Sequence, residues 1–336
     1  MKKSLHHNII GNHKAVEFIE KIALAGRNEY LSGSYILTGY DETVSFEMAQ
    51  WLFSSLACID KSNWPCGDCL NCHQLVSGVF PDYYQIELGD EKQNISIEQI
   101  KDMISRLSLS SFSNNYRFVL IKNAETLSLS AANSLLKTLE EPGARIIIVL
   151  LATDLGTLPS TIASRSQIIN FRQVPSNILF DHLIKNGGLK RSLAKSIARL
   201  SLGKFGLAQR YLNDNQEYER RLEMAQNFIA VLGADVSQRL KLTQNIFSKK
   251  DAKTDVKLCQ EIVLIWQTVI RDIMLLNLNQ PELIQNDCLR SALEEQRYKF
   301  DLKRLISATK LLNQAKLYLS SNVNAQMALE NALLNI

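Results

Sequence analysis

A chain of 336 residues with 46% hydrophobic and 21% charged side chains excludes a disordered tail and is too long for one core, so two or three folded domains are expected. Its 38 basic and 34 acidic groups leave a net charge of +4, which permits nucleic-acid binding without arguing for it. Met1 to Asn8 lead into no apolar run or small-residue cleavage site, and the apolar region from Val256 to Leu278 is broken by Lys257, Glu261, Arg271 and Asp272. Neither a secretory signal nor a membrane span is expected; a cytoplasmic protein with reduced thiols is.

From Ser34 to Phe171, strand-like runs alternate with helical patterns, which predicts a parallel sheet covered by helices. The first run, Ser34-Tyr35-Ile36-Leu37-Thr38-Gly39, reads as a buried strand entering a turn. A nucleotide-binding chain places a glycine-rich phosphate loop of the Walker A type there, ending in Lys-Ser/Thr. With Gly39 as the first glycine, Val44 stands at the second, Ser45 at the lysine and Phe46 at the Mg²⁺-binding hydroxyl. Asp41 and Glu42 add negative charge where phosphate would sit. This is the skeleton of an ATPase that cannot hold ATP.

Next along the chain, Cys58, Cys66, Cys69 and Cys72 follow a C-x7-C-x2-C-x2-C spacing. Four thiolates close a tetrahedral Zn²⁺ site with no open position, so a structural zinc module is expected over about 58–72. Pro65, Gly67 and Asp68 supply turn residues, and His73 is an adjacent substitute ligand. The alternative is a set of unliganded thiols or a redox pair. Only Lys61 is basic between Cys58 and His73, which favours a folding staple over a DNA reader.

Further strands are expected at Tyr83–Leu88, Arg117–Ile121 and Ile146–Leu151, the last apolar enough to be buried on both faces. A helix carries Ala132, Leu135, Leu136 and Leu139 on one face and ends at Pro142-Gly143. In an ATPase of this layout, Arg117–Ile121 ends in an Mg²⁺-binding Asp followed by a Glu that orients water. Here those places (Walker B) hold Lys122 and Asn123, with Glu125 displaced by two positions. Residues 173–214 read as a small helical unit broken by Gly187-Gly188, Gly203 and Gly206. From Asn215 to Ile336 the pattern is that of amphipathic helices, for example Leu302, Leu305, Ile306, Leu312 and Leu319.

The run Asn133-Ser134-Leu135-Leu136-Lys137-Thr138-Leu139-Glu140-Glu141-Pro142 and the triplet Ser164-Arg165-Ser166 resemble the clamp-loader branch of the AAA+ proteins, as found in the bacterial DNA polymerase III clamp loader. The resemblance covers most of the first 210 residues; beyond them, Asn322 to Glu330 is similar to the family's terminal collar helix. It implies an AAA+ domain over 1–172 with the inserted zinc module, a helical lid over 173–214 and a helical collar over 215–336. Family members commonly carry Ser-Arg-Cys at the triplet, the arginine entering the ATP site of the neighbouring subunit. Ser166 replaces the cysteine and leaves Arg165 as the implied trans arginine finger. An arginine that senses nucleotide in cis would fall near Gly203-Lys204-Phe205-Gly206, where there is none. The resemblance therefore implies a non-hydrolysing stator that binds no ATP and has no ATPase or polymerase activity of its own. Its implied partners are the tau/gamma ATPase subunits, the delta subunit, the sliding clamp and, within the assembled ring, primer-template DNA.

Two other readings stand beside this one. An active motor subunit with an unusual phosphate loop would bind Mg²⁺-ATP tightly as a lone chain, and a stand-alone zinc-containing DNA-binding protein would show salt-dependent binding as a monomer. Arg165 paired with a local carboxylate is the structural alternative to a finger. Metal-catalysed hydrolysis has no open coordination position, and His6, His7, His13, His73 and His182 are too scattered to supply a general base.

Overall fold

The computed structural model describes residues 9–89, 94–109, 116–247, 256–321 and 323–336. His6, His7 and Asn322 lie outside them. The chain divides into two compact units, Met1–Leu179 with Gly203–Leu207, and Phe180–Leu202 with Ala208–Ile336.

The elements of the first unit run α1 (His13–Glu29), β1 (Gly33–Gly39), α2 (Glu42–Ala57), α3 (Leu70–Val76), β2 (Tyr83–Ile86), α4 (Ile97–Ser108), β3 (Arg117–Ile121), α5 (Leu129–Glu140), β4 (Ile146–Ala152), α6 (Ser160–Ala163) and β5 (Gln167–Phe171). The five strands form one parallel sheet in the order β2-β3-β4-β1-β5. All seven residues of β4 are buried, because helices cover both faces. Ile146, Ile148 and Leu150 pack with Leu135 and Leu139 of α5 and with Ile100 and Met103 of α4. Local signals set the helix starts: Ser96 and Gln99 form a reciprocal capping box on α4, and Ser128 Oγ accepts from Ala131 N on α5. Strand β2 is two residues shorter than expected at its end. β5 is a strand that the apolar pattern does not nominate, since its residues alternate between buried and exposed at the sheet edge.

Helices α7 (Ser176–Lys185), α8 (Arg191–Leu200) and α9 (Phe205–Asn213) follow, then α10 (Asn215–Val231), α11 (Val236–Phe247), α12 (Val256–Asn277), α13 (Arg290–Arg297), α14 (Leu302–Leu319) and α15 (Ala325–Asn335). In the second unit α12 is central: Ile262, Trp266, Ile270 and Ile273 enter a core with Phe228 of α10, Leu312 of α14 and Leu329 of α15. Trp266 stacks on Phe228 with ring centroids 4.8 Å apart. Among the described residues no helix is long and apolar enough to cross a membrane.

Candidate functional site

The carboxyl ends of β1, β4 and β5 open into a pocket of about 450 Å³ lined by Thr38, Gly39 and Thr153 among others. This is where open parallel sheets hold ligands. Gly39 is required here by packing, since a Cβ would lie 2.4 Å from the main-chain oxygen of Phe171 on the paired strand β5. Asp41 occupies the N-cap position of α2 but does not cap its own helix. Its Oδ2 instead accepts a 2.8 Å hydrogen bond from Gly206 N, in the first turn of α9. Amides at a helix start carry the partial positive charge that attracts anions, and here the anion is a side chain of the same unit.

The other positions that the sequence aligns with a phosphate loop lie against the same end of the sheet. Val44 and Ser45 are buried, Ser45 Oγ without a hydrogen-bond partner, and Phe46 packs under Lys122, whose Nζ lies 4.8 Å from the ring centroid. Lys122 stands where an ATPase has its Mg²⁺ carboxylate, and it also pairs with Glu87 Oε2 at 3.0 Å. Asn123 adopts a left-handed conformation and donates to Glu42 Oε1 at 3.4 Å. Glu125, the displaced carboxylate, accepts from Thr153 Oγ1 at 2.8 Å. Lys204 Nζ sits 4.1 Å from the Tyr40 ring centroid. Gly206 approaches α2 so closely that a Cβ would lie 2.5 Å from Thr43 Cβ, leaving no room for an arginine side chain without displacement. Burial and the Asp41 charge push the Glu47 carboxyl above the usual carboxylate range, as expected where negative charge is already crowded.

The four cysteines converge. Their sulfurs all lie within 4.8 Å of one another, close to the separation of about 3.8 Å that Zn–S bonds of about 2.3 Å impose on a tetrahedron. Cys58 ends α2, Cys69 is the N-cap of α3 and Cys72 lies in its first turn, while Gly67 supplies the positive φ that turns the chain between them. Cys66 N donates to Cys58 Sγ at 3.4 Å and Cys69 N to Cys66 Sγ at 3.3 Å, contacts that favour the thiolate. Burial pushes the Cys58 and Cys72 thiols up. At Cys69 burial acts in the same direction but is outweighed by hydrogen bonds from the Ile59 and Cys72 amides, which hold it at about 7. His73 is exposed and outside the cluster. The donor set fits a metal ion.

Arg165 lies in the turn after α6. Its Nε donates to Glu140 Oε2 at 2.8 Å and its Nη1 to Thr161 O at 3.2 Å, with the side chain 35% exposed. The two motifs singled out in the sequence are therefore in contact, one supplying the carboxylate and the other the guanidinium.

Residues 12–175 match the family model described as DNA polymerase III, delta subunit. The chain is 25% identical to the DNA polymerase III subunit delta' of Bacillus subtilis over 90% of both chains. It is 30% identical to the subunit delta' of Haemophilus influenzae over 51% of this chain and 54% of that one. The chain belongs to the delta-prime family of the bacterial DNA polymerase III clamp loader. A solved gamma subunit-related protein of Thermotoga maritima shares the fold, with a TM-score of 0.57 and 17% identity over 95% of this chain and 97% of that one.

Within this clamp-loader fold, three features had no signal in the sequence pattern. One is the Asp41–Gly206 contact, between residues 165 positions apart. Another is Thr153 as the partner of Glu125. The third is Arg27 of α1, which clamps the cysteine module by donating to Ser55 O, Cys58 O and Asp60 O at 2.6–3.1 Å and lies over the Trp64 ring. A lone arginine on an amphipathic helix gives no hint of three carbonyls beyond the next strand.

Proposed function

We propose that this chain is the non-hydrolysing stator of its clamp loader, lending Arg165 in trans, with its Ser164 and Ser166 neighbours, to the ATP site of an adjoining tau/gamma ATPase subunit. The observation that carries the reading is the hydrogen bond from Gly206 N to Asp41. With Phe46 under Lys122 and Glu125 on Thr153, the groups that would position a triphosphate and its Mg²⁺ are engaged with one another. Arg165, by contrast, is held by a half-exposed ion pair of the kind worth about 0–1 kcal/mol, which an incoming phosphate can displace. A guanidinium brought to a γ-phosphoryl group stabilises the charge that develops on it, worth roughly 10³- to 10⁵-fold in rate.

The four cysteines hold a Zn²⁺ that staples the 58–72 loop and takes no part in chemistry. Residues 1–172 act as the AAA+-like part, 173–214 as the lid and 215–336 as the collar that joins the delta and tau/gamma subunits, and the ring so formed loads the sliding clamp on primer-template DNA.

The test is a reconstituted loader carrying Arg165→Ala, assayed for DNA-stimulated ATP turnover and clamp loading. Turnover at the adjoining site is expected to fall by about 10³-fold or more with assembly intact. Unchanged turnover overturns the role of Arg165. Saturable Mg²⁺-ATP binding by the lone chain in calorimetry would favour the motor reading instead.

A further inference from the structure

The second unit carries an open groove of about 790 Å³ that none of the features above uses. Its wall is the connection from α13 to α14, residues 297–304, and Asn277 at the end of α12 and Ser307 of α14 complete the lining. Four cations line it, Arg297, Lys299, Lys303 and Arg304, against one carboxylate, Asp301. That carboxylate is engaged as the cap of α14, accepting from Arg304 N at 2.8 Å. Glu294 and Glu295, the nearest acids along α13, are not part of the lining.

The wall is firmly anchored. Phe300 is 2% exposed and belongs to the unit's core, and Asn277 Nδ2 donates to its carbonyl at 2.9 Å. Arg297 Nη2 donates to Asn279 Oδ1 at 2.7 Å; Arg304 Nε donates to Ile336 O at 3.1 Å, with its guanidinium over the Phe300 ring. The side chains of Lys299 and Lys303 make no ion pair or hydrogen bond among the described residues, so their ammonium groups are available. Tyr298 between them and Arg297 is 86% exposed, its ring in solvent beside the Arg297 guanidinium.

We infer that this groove binds single-stranded nucleic acid, with phosphates along Lys299 and Lys303 and an unpaired base stacked on Tyr298. Fixed cations beside an exposed aromatic ring are what strand binding without sequence preference needs: electrostatic tracking of the backbone and a π-face that any base can cover. A duplex keeps its bases in its own stack and leaves the ring bare. An acidic polypeptide would neutralise the lysines and likewise make no use of it. The inference does not depend on Arg165, and its test needs only the lone chain.

The experiment is fluorescence anisotropy of a labelled oligothymidylate of about twelve nucleotides with the full chain, at several salt concentrations. Binding on the order of micromolar at low salt is expected, falling steeply with added salt. The double variant Lys299→Glu/Lys303→Glu should weaken it by about tenfold or more and reduce the salt slope by about 1.4, the share of two single-strand phosphates. Tyr298→Ala should weaken it by about fivefold or more with the slope unchanged. Lys101→Glu, on the exposed face of α4, should change nothing, and circular dichroism melts should match throughout. Absence of wild-type binding, indifference to the double lysine variant, or an equal loss in Lys101→Glu overturns the inference. So does an unaltered Tyr298→Ala with polyglutamate competing as well as DNA, which would assign the groove to an acidic polypeptide.

Discussion

In the cysteine module four sulfurs come from residues 58–72, whereas the carboxyl end of the sheet is assembled from 41–46, 122–125, Thr153 and 203–206. In the module, spacing and one tight turn are enough to bring the sulfurs together. The sheet end is held by contacts between distant segments: carboxylate on amide, ammonium on ring, carboxylate on hydroxyl. Buried polar groups tend to be satisfied within the fold, and most of the polar side chains at this end of the sheet have an internal partner, Ser45 Oγ being an exception.

Cys72→Ser sharpens this comparison most. It removes a buried ligand, and the bound-zinc ratio measured by atomic emission should fall from near one per chain toward zero, with a loss of several kcal/mol of stability and early proteolytic cleavage within 58–80. Acidification should act in the same direction. Burial raises the Cys58 and Cys72 thiols, the metal needs thiolates, and each proton must be displaced on binding, so zinc captured by a colorimetric chelator should increase as pH falls below 7. Metal retention by Cys72→Ser would break the comparison on its retained side.

Gly206→Ala addresses the other side. The added Cβ meets Thr43, and a cost of about 1–3 kcal/mol in urea unfolding is expected. Asp41→Ala removes the carboxylate from the start of α9 and should cost about 1 kcal/mol, with faster hydrogen exchange at the Gly206 amide, while Asp41→Asn retains an acceptor and costs less. Lys122→Ala is the smallest change, at or below about 1 kcal/mol, because its pair with Glu87 is partly solvated. If Asp41→Ala left both stability and Gly206 exchange unaltered, the carboxylate would be a bystander in the lone chain.

Much of the fold was legible from pattern. All four expected strands, including the buried run of β4, and the face of α5 follow from side-chain pattern, which is local. β5 was not, because at a sheet edge only Ile169 and Phe171 point into cover, and an alternation of two residues is too short to separate from a loop. At the candidate site the sequence offers residues to align with phosphate-loop and Mg²⁺ positions but not the contacts those residues make. Phe46 reads as a lost hydroxyl until Lys122 is found above it. Arg165 reads as a finger, while its partner Glu140 sits 25 positions away in the other motif.

By itself the amino-acid sequence determined the α/β alternation, the clustering of four cysteines and the presence of Arg165, because each depends on residue type and short-range spacing. Tertiary structure alone decided that Asp41 reaches Gly206, that Arg27 grips the cysteine loop and that Lys299, Lys303 and Tyr298 share one groove. Those contacts join surfaces whose approach is set by how helices pack on a sheet and on each other, and no local rule of the chain encodes that distance.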